Sequence, residues 1–284
     1  MIIFDYNQVA ISNLMEQIGS SKTSVDENLV RHMILNTIRT YVKKFKANYG
    51  PEVIIACDNK NYWRREFFPH YKASRKKARE ASGHDWNSIF SCLGTIRDEL
   101  MEYSPYKVIS VHTCEADDII GTLVQKYSAT QKIMILSSDK DFAQLQKFPN
   151  VEQFSPILKK FINEPLPAAQ LKQMVIRGDK GDGIPNILSA DDCIVTEGVR
   201  QTPVSSKRLA EFMEKGKEAC RTDEERRNWD RNESMISFDK IPGDIKQSII
   251  DEYIGSKPKT DRMQIMNYLI QHRCRMLLDK IEEF

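Results

Sequence analysis

Acidic side chains recur in this sequence where short apolar runs end. Asp5 closes the apolar residues 2–4, Asp58 follows residues 53–57, and Asp139 comes shortly after residues 133–136. Carboxylates crowded at one edge of an apolar sheet repel one another unless a cation lies between them, and hard oxygen ligands suit Mg²⁺ or Mn²⁺. The eight candidate ligands, in five short segments, are Asp5, Asp58, Glu115, Asp117, Asp139, Asp141, Asp179 and Asp182. The pattern predicts a divalent-metal site.

Each acid taken alone also has a simpler interpretation. Glu115, Asp117 and Asp118 could form the first turn of a helix, attracted by its dipole. Residues 139–141 could be a capped turn, and residues 178–183 an Asx-type turn. The joint occurrence of five acidic segments favours the metal site over five unrelated turns.

A basic segment lies between residues 60 and 80, although the net charge of the whole chain is only +2. Its cations are Lys60, Arg64, Arg65, Lys72, Arg75, Lys76, Lys77 and Arg79, and its acids are Glu66 and Glu80. Polyanions bind through such Lys/Arg clusters. A positive segment that accompanies an acidic, metal-binding centre favours a phosphate backbone as substrate and a metal-dependent phosphodiesterase as the hypothesis.

Length and composition exclude several other classes of protein. With 284 residues, 40% of them hydrophobic and 29% charged, the chain can form one large α/β domain or a core domain with a helical appendage. No run approaches the ~18 apolar residues of a membrane span, and no secretory signal is visible, so we expect a cytoplasmic protein. The 6 cysteines lack C-x-x-C spacing and are expected to be free thiols, and none of the 5 histidines has ligand spacing.

Short apolar runs alternate with stretches of helical period, which is typical of βα units and a mainly parallel sheet. Strands are predicted at residues 2–5, 52–58, 106–111, 132–137 and 151–154. Helices are predicted after a capping box at residues 24–27, after Asp85 and near Glu115. Because ligands of open α/β sheets lie outside the carboxyl ends of the strands, the acids should converge on one crevice.

We expect two domains. Residues 1–165 should form an α/β core that includes the basic segment at about residues 60–84, and residues 166–284 a helical region. Within that region, residues 198–206 are interpreted as a loop, and the highly charged residues 220–233 as a solvated helix.

Seven motifs together resemble the structure-specific 5′-nucleases of the flap endonuclease superfamily, and most closely its branch of T-even-type bacteriophage ribonucleases H. They are Phe4-Asp5 and residues 57–59 (CDN), 62–65 (YWRR), 71–75 (YKASR), 115–118 (EADD), 137–142 (SSDKDF) and 178–182 (GDKGD). The resemblance covers nearly the whole chain. It implies a PIN/5′-nuclease-like fold with a helix-three-turn-helix-like element that binds duplex phosphates.

The resemblance also implies roles for individual residues. Its first Mg²⁺ site corresponds to Asp5, Asp58, Glu115, Asp117 and Asp139, and its second to Asp141, Asp179 and Asp182; Mn²⁺ is expected to substitute. Asp118 adjoins the motif and is interpreted as a supporting acid. Asp117 and Asp139 are assigned to catalysis together with Lys72 and Arg75, a basic pair that orients the scissile phosphate from a helical arch. At i and i+3 on a helix, Lys72 and Arg75 would face the same way.

Nucleic-acid contacts are expected from the arch and from a glycine-rich hairpin. They are Arg64, Arg65, Tyr71, Lys72, Arg75, Lys76, Lys77, Arg79, Gly181 and Gly183. Aromatic faces of the arch could stack on unpaired bases or anchor the segment to the core; for Phe67 and Phe68 we favour the anchor. The hairpin departs from the Gly-Ile-Gly-x-Lys pattern of cellular members, which leaves Lys207 and Arg208 as candidate contacts only.

The expected activity is removal of RNA primers and adjacent DNA during phage replication, by 5′-3′ exonuclease, flap endonuclease and ribonuclease H cleavage. The expected partners are branched or nicked DNA and RNA·DNA hybrids, with a phage single-strand-binding protein and sliding clamp implied by family and a monomer as the default state. Two alternatives stay open: a non-catalytic DNA-junction binding protein on a nuclease scaffold, and a small PIN-type ribonuclease. The first would lack metal ligands, and the second would end near residue 150.

Overall fold

A six-stranded sheet organises the fold in the computed structural model, which describes residues 1–18 and 25–284. The strands are β1 (Ile2–Asp5), β2 (Val53–Ala56), β3 (Lys107–Ile109), β4 (Ile133–Leu136), β5 (Val151–Ser155) and β6 (Lys160–Ile162). Their order is β3-β2-β1-β4-β5-β6, and all neighbouring strands are parallel except β5 and β6. The predicted α/β class with a mainly parallel sheet is confirmed.

The central strand β1 pairs with β2 on one side and β4 on the other. Ile3 lies opposite Ile54 of β2 and Ile135 of β4, and all three side chains are buried. Strands covered on both faces are mostly apolar, which is why short apolar runs predicted β1, β2 and β4 well. Strand β6 was not predicted, because it is only three residues long and largely exposed.

Helices flank the sheet and form the C-terminal region. Those before residue 130 are α1 (Tyr6–Ile18), α2 (Glu27–Tyr49), α3 (Trp63–Phe67), α4 (Ser74–Ser82), α5 (Trp86–Tyr103) and α6 (Ala116–Tyr127). Those after it are α7 (Pro167–Arg177), α8 (Ser206–Lys215), α9 (Asp223–Ile236), α10 (Gly243–Gly255), α11 (Arg262–Gln271) and α12 (Arg275–Leu278). Short 3-10 segments cover Lys140–Lys147, Gly216–Ala219, Phe238–Lys240 and Ile281–Glu283. Among the described residues, no helix combines the length and apolarity needed to cross a membrane.

The chain divides into two compact units. The first contains Met1–Lys60, Asp85–Asn163 and Asp244–Phe284, and the second Asn61–His84 and Glu164–Gly243. This differs from the linear division expected at residue 165. The reason is packing: Phe68 lies in one buried cluster with Ile184, whereas Tyr268 and Leu269 of α11 lie in the core of the sheet unit.

Helix α2 supplies much of the apolar cover in the sheet unit. Asp26 caps its N-terminus by accepting a hydrogen bond from the Leu29 N–H at 3.1 Å. Ser24, the first residue of the predicted capping box, lies outside the described residues. One face of α2 is buried through Ile34, Ile38 and Val42, as the apolar spacing predicted.

The second unit has its own buried clusters. Val175, Ile176 and Phe212 pack with Trp229 of α9. The prediction of a solvated helix at residues 220–233 is therefore wrong for one face, because Asn232 is also fully buried and donates to the carbonyls of Val175 and Pro185 at 2.8 Å each. The sequence did not predict this buried face, because several of its residues are polar and form their hydrogen bonds inside the protein.

All six cysteines are free thiols and buried. This confirms the prediction from their scattered spacing. Burial raises the pKa of the Cys57 thiol well above its ordinary value, so Cys57 has the character of a small core residue.

Candidate metal centre and phosphate-binding segment

Four acids stand at the carboxyl ends of four neighbouring parallel strands. Asp5 is the last residue of β1, and Asp58 follows β2 by two residues. Glu115 caps α6 after β3, and Asp139 caps the 3-10 segment after β4. Since the order of these strands is β3-β2-β1-β4, the four acids lie along one edge of the sheet unit.

Asp5 lies at the middle of this edge and is only 7% exposed. Its Oδ1 accepts from the Gln8 N–H at 3.1 Å and its Oδ2 from the Ser137 hydroxyl at 3.0 Å. Burial, followed by repulsion from Asp58 and a smaller contribution from Asp139, raises the pKa of Asp5 to about 7. The carboxylates that follow β2 and β4 are thus close enough to disfavour the charge of Asp5.

Asp58 and Glu115 are both fixed at the N-terminus of α6. Asp58 Oδ1 accepts from the Ala116 N–H at 2.7 Å, and its Oδ2 accepts from the side-chain amide of Asn7. Glu115 and Asp118 form a capping box, in which Asp118 Oδ2 accepts from the Glu115 N–H at 2.9 Å. The positive end of the helix dipole stabilises carboxylates placed in this way.

Asp118 is fully buried, and its carboxylate accepts a hydrogen bond from the backbone of Glu115. This contact supports its interpretation as a supporting acid. Asp117, the next acid of the motif, is half-buried in the first turn of α6.

Asp139 caps the 3-10 segment after β4, and Asp141 lies in the first turn of that segment. Asp139 Oδ1 accepts from the Asp141 N–H at 2.9 Å, which is the capped turn that the sequence left as one interpretation. Both side chains are half-buried. The turn does not compete with a metal role, because a carboxylate offers about four lone-pair sites.

The described ranges 1–18 and 25–284 contain no three acidic, histidine or cysteine side chains already grouped as ligands of one ion. A divalent cation nevertheless fits the strand-end acids in two respects. Their oxygens are hard donors of the type that Mg²⁺ and Mn²⁺ prefer. A cation would also relieve the repulsion from Asp58 and Asp139 that adds to burial in raising the pKa of Asp5.

The other two predicted ligands, Asp179 and Asp182, belong to the second unit. Asp179 Oδ1 accepts from the N–H groups of Gly181 at 2.8 Å and Asp182 at 3.2 Å, so it also forms the Asx-type turn considered from the sequence. The neighbouring Gly183 has φ +75°, and a Cβ there would lie 2.7 Å from the His70 carbonyl oxygen. Glycine is thus required by the fold of this loop itself.

Asp182 joins this loop to the basic segment within the second unit. Arg75 Nη2 lies 2.5 Å from Asp182 Oδ1, Lys72 Nζ lies 3.7 Å from its Oδ2, and the Tyr71 hydroxyl lies 3.3 Å from its Oδ2. Lys72 and Arg75 therefore do face one group. The predicted reason is wrong, however, because Lys72 has φ 55° and precedes α4, so the two cations do not share a helix face.

The remaining basic-segment residues fall into two groups. Arg65, Lys76 and Lys77 are exposed, as phosphate contacts require, and Arg79 is half-buried. Arg64 is only 2% exposed and donates through Nε to the Met235 carbonyl at 3.0 Å. The structure thus contradicts its expected accessibility to nucleic acid.

The aromatic residues of the segment also divide. Tyr71 is 3% exposed and packs with Phe68 and Ile184, so its ring is not presented for stacking on a base. Phe68 is a core anchor as favoured, whereas Phe67 is 55% exposed.

The backbone N–H groups of both hairpin glycines already have acceptors within the loop. The N–H of Gly181 donates to Asp179 Oδ1, and that of Gly183 donates to the Lys180 carbonyl at 3.2 Å. Arg208 forms ion pairs with Glu211 and Glu225 at 2.8 Å each. Lys207 is exposed on α8.

Several neutral residues that hold the acids were not predicted. Asn7 donates to Asp58, and Ser137 and Gln8 donate to Asp5. Ser137 stands inside a motif that was recognised for its acids. Only the hydrogen bonds of the folded chain distinguish it from any other serine beside an aspartate.

Two family models match consecutive parts of the chain. The model described as "5'-3' exonuclease, N-terminal resolvase-like domain" matches residues 15–170, and that described as "T4 RNase H, C terminal" matches residues 167–284. The chain is 35% identical to the ribonuclease H of Enterobacteria phage T4 over 99% of this chain and 95% of that protein. It is also 26% identical to the exodeoxyribonuclease of Enterobacteria phage T3, over 69% of this chain and 62% of that protein.

The fold is similar to solved structures of bacteriophage T5 nuclease. A T5 5′-exonuclease with bound zinc has a TM-score of 0.65 and 15% identity, covering 90% of this chain and 98% of its own. A T5 flap endonuclease in a pseudo-enzyme-product complex with DNA and metal ions has a TM-score of 0.66 and 15% identity, covering 89% and 97%. At this identity the likeness shows the fold alone. The two family models and the T4 relative identify the chain as a member of the 5′-3′ exonuclease family of 5′-nucleases, in the branch of T4 ribonuclease H.

Proposed function

We propose that this 5′-nuclease requires Mg²⁺ and removes RNA primers and adjacent DNA from 5′ ends, by 5′-3′ exonucleolytic steps and by cutting at flap junctions. The observation that carries the proposal is the row of four acids at the carboxyl ends of four neighbouring parallel strands, with Asp5 buried at its middle. Burial, together with repulsion from Asp58 and Asp139, also raises the pKa of Asp5 to about 7, and a perturbed carboxylate of this kind is typical of functional sites.

The proposed ligands follow the sequence motifs. The first ion is assigned to Asp5, Asp58, Glu115, Asp117 and Asp139, and the second to Asp141, Asp179 and Asp182. Bound divalent ions would supply Lewis-acid chemistry, lowering the pKa of the attacking water and stabilising charge on the phosphate and the leaving oxygen. Mn²⁺ is expected to replace Mg²⁺, because both favour oxygen ligands.

Lys72 and Arg75 are proposed to bind the scissile phosphate. Their contacts with Asp182 support this role, because a carboxylate that attracts both cations shows that they can engage one anionic group together. Lys72 is more buried than Arg75, with 10% side-chain exposure against 46%, so its charge is less screened by water. The exposed Arg65, Lys76 and Lys77 would contribute phosphate contacts without sequence preference.

Cleavage of a 5′-labelled flapped duplex, with and without Mg²⁺, tests the activity and its metal requirement. Asp117→Asn should abolish turnover and leave binding of the duplex intact, since Asp117 is a proposed ligand and its amide analogue is a poorer one. Normal cutting by Asp117→Asn would contradict the assignment of the first metal site.

The same assay separates the alternatives considered from the sequence. A non-catalytic junction-binding protein would shift the duplex without cutting it, and a PIN-type ribonuclease would leave DNA intact. Matched RNA-primed and DNA-only substrates, analysed for product size and end groups, measure the preference between primer removal and flap cutting. We expect 5′-phosphate and 3′-hydroxyl ends.

The proposed partners beyond nucleic acid are a phage single-strand-binding protein and a sliding clamp. Sedimentation of the protein alone and with each partner tests this proposal and the expected monomeric state. Unchanged sedimentation in both mixtures would contradict the partner proposal, and a larger species of the protein alone would contradict the monomer.

A further inference from the structure

Ser137 links two of the proposed metal ligands directly. It follows β4, and its side chain is fully buried. Its hydroxyl donates to Asp5 Oδ2 at 3.0 Å and accepts from the Asp139 N–H at 3.1 Å. A serine hydroxyl has one proton and two lone pairs, so both hydrogen bonds can form together. One side chain thereby ties the carboxylate at the end of β1 to the turn that carries the carboxylate after β4.

Gln153 of β5 supports this link from the next strand. It is 1% exposed, and its amide Nε2 donates to the Ser137 carbonyl at 3.0 Å and to the Asp139 carbonyl at 2.6 Å. Its Oε1 accepts from Gln146 Nε2 at 3.2 Å. Because both amide donors are used on the turn, the position of the Asp139 backbone depends on a neutral side chain from a neighbouring strand.

We propose that Ser137, supported by Gln153, is a positioning residue that sets the spacing and orientation of Asp5 and Asp139 for a divalent cation. This inference rests on the proposed metal centre. Neither residue would touch the ion. Ser137 would act by fixing the orientation of the Asp5 carboxylate, which repulsion from the neighbouring acids would otherwise rotate away. Gln153 would act by fixing the backbone of residues 137–139. Partners of this kind commonly change metal affinity by about 10- to 100-fold when removed.

The test measures Mn²⁺ binding to the DNA-free protein by electron paramagnetic resonance, together with thermal unfolding in EDTA. Ser137→Ala should weaken Mn²⁺ binding by about 10-fold or more, and Gln153→Leu should weaken it as well. Ser137→Thr keeps the hydroxyl and should restore affinity to near that of the wild type. Ser155→Ala is the matched control, because Ser155 is also a fully buried serine of this sheet and contacts Ser138 and the Leu158 N–H rather than an acid.

A purely structural role would lower the unfolding temperature in EDTA and leave Mn²⁺ affinity unchanged, and that result would overturn the inference. If Ser137→Ala does not fold, the isosteric pair Ser137→Thr and Ser137→Val serves instead, and equal Mn²⁺ affinity in that pair would overturn it too. If the wild type binds Mn²⁺ and Ser137→Ala binds it equally well, only this inference fails. If the wild type binds none, the proposed metal centre fails with it.

Discussion

Arg75 Nη2 lies 2.5 Å from Asp182 Oδ1, so a predicted phosphate-binding cation and a predicted metal ligand contact each other directly. Lys72 Nζ approaches the other oxygen of the same carboxylate at 3.7 Å. Within the second unit, the charges proposed to hold the phosphate are therefore partly neutralised by an acid that is proposed to bind metal. Phosphate binding and the charge state of Asp182 should be coupled.

Replacing Asp182 tests this coupling. In EDTA, Asp182→Asn should bind flapped duplex more tightly than the wild type, because the charges of Lys72 and Arg75 become available to phosphates. Fluorescence anisotropy against salt concentration should show a steeper dependence, by up to about 0.9 in the log–log slope for each additional phosphate neutralised. Cleavage in Mg²⁺ should fall at the same time. Weaker binding in EDTA would contradict the coupling.

Lys72→Ala should slow single-turnover cleavage much more than it weakens binding. A group that stabilises charge as it develops in the transition state commonly contributes about 10²- to 10³-fold to the rate. Lys76→Ala is the control, because Lys76 is an exposed cation of α4 and should affect affinity and salt dependence only. Equal losses of rate and affinity in Lys72→Ala would reduce Lys72 to a docking contact.

The metal-free protein should become less stable as pH rises from the ordinary pKa of an aspartate towards the raised pKa of Asp5. The pKa of Asp5 is raised from 3.8 to about 7 by burial and by Asp58 and Asp139, so the folded state binds this proton more tightly than the unfolded state. Below pH 4 the group therefore imposes no cost. Between pH 4 and 7 the carboxyl is ionised in the unfolded state but still protonated in the folded state, so the unfolding free energy falls as pH rises, by at most about 1.4 kcal/mol for each unit of pKa difference.

Thermal unfolding in EDTA between pH 5 and 8 measures this cost. The unfolding temperature of the wild type should fall relative to that of Asp5→Asn as pH rises, and Mg²⁺ should restore it for the wild type only. Parallel curves for the two proteins in EDTA would show that Asp5 is ionised throughout.

Gly183→Ala should destabilise the second unit. Its φ is +75°, and a Cβ would lie 2.7 Å from the His70 carbonyl oxygen, so alanine combines backbone strain with a clash. A cost of about 1–3 kcal/mol is expected from strain of this type. Gly94→Ala is the matched control, since a Cβ there meets nothing within 4 Å and α5 should gain about 0.5–1 kcal/mol. Urea unfolding of both variants measures the difference, and equal midpoints would contradict the role of Gly183.

The sheet edge could be predicted because its signal is local. Asp5 ends one apolar strand and Asp58 follows another, and parallel neighbours bring their carboxyl ends to one edge. The contacts that orient those acids could not be predicted. Ser137 and Gln153 are separated by a turn and a strand, and only the register of β4 against β5 places them together.

The basic segment shows a different limit. Helical spacing predicted that Lys72 and Arg75 face the same way, and both do reach Asp182. Their geometry depends instead on a non-local hydrogen bond, because the Lys72 N–H donates to the Asp182 carbonyl at 2.7 Å and the backbone turns left-handed there. Helix propensity and hydrophobic periodicity describe local sequence, so they cannot predict a contact between residues 72 and 182.

The C-terminal stretch Asp244–Phe284 belongs to the unit that contains the strand-end acids, although 80 residues of another unit precede it from Glu164 to Gly243. Ile265, Tyr268 and Leu269 complete the apolar core beneath that sheet. During vectorial synthesis on a ribosome, the sheet and its acids emerge long before this closing layer does. The core of the sheet unit therefore cannot be completed before residues 244–284 have been synthesised, although its strands are made much earlier.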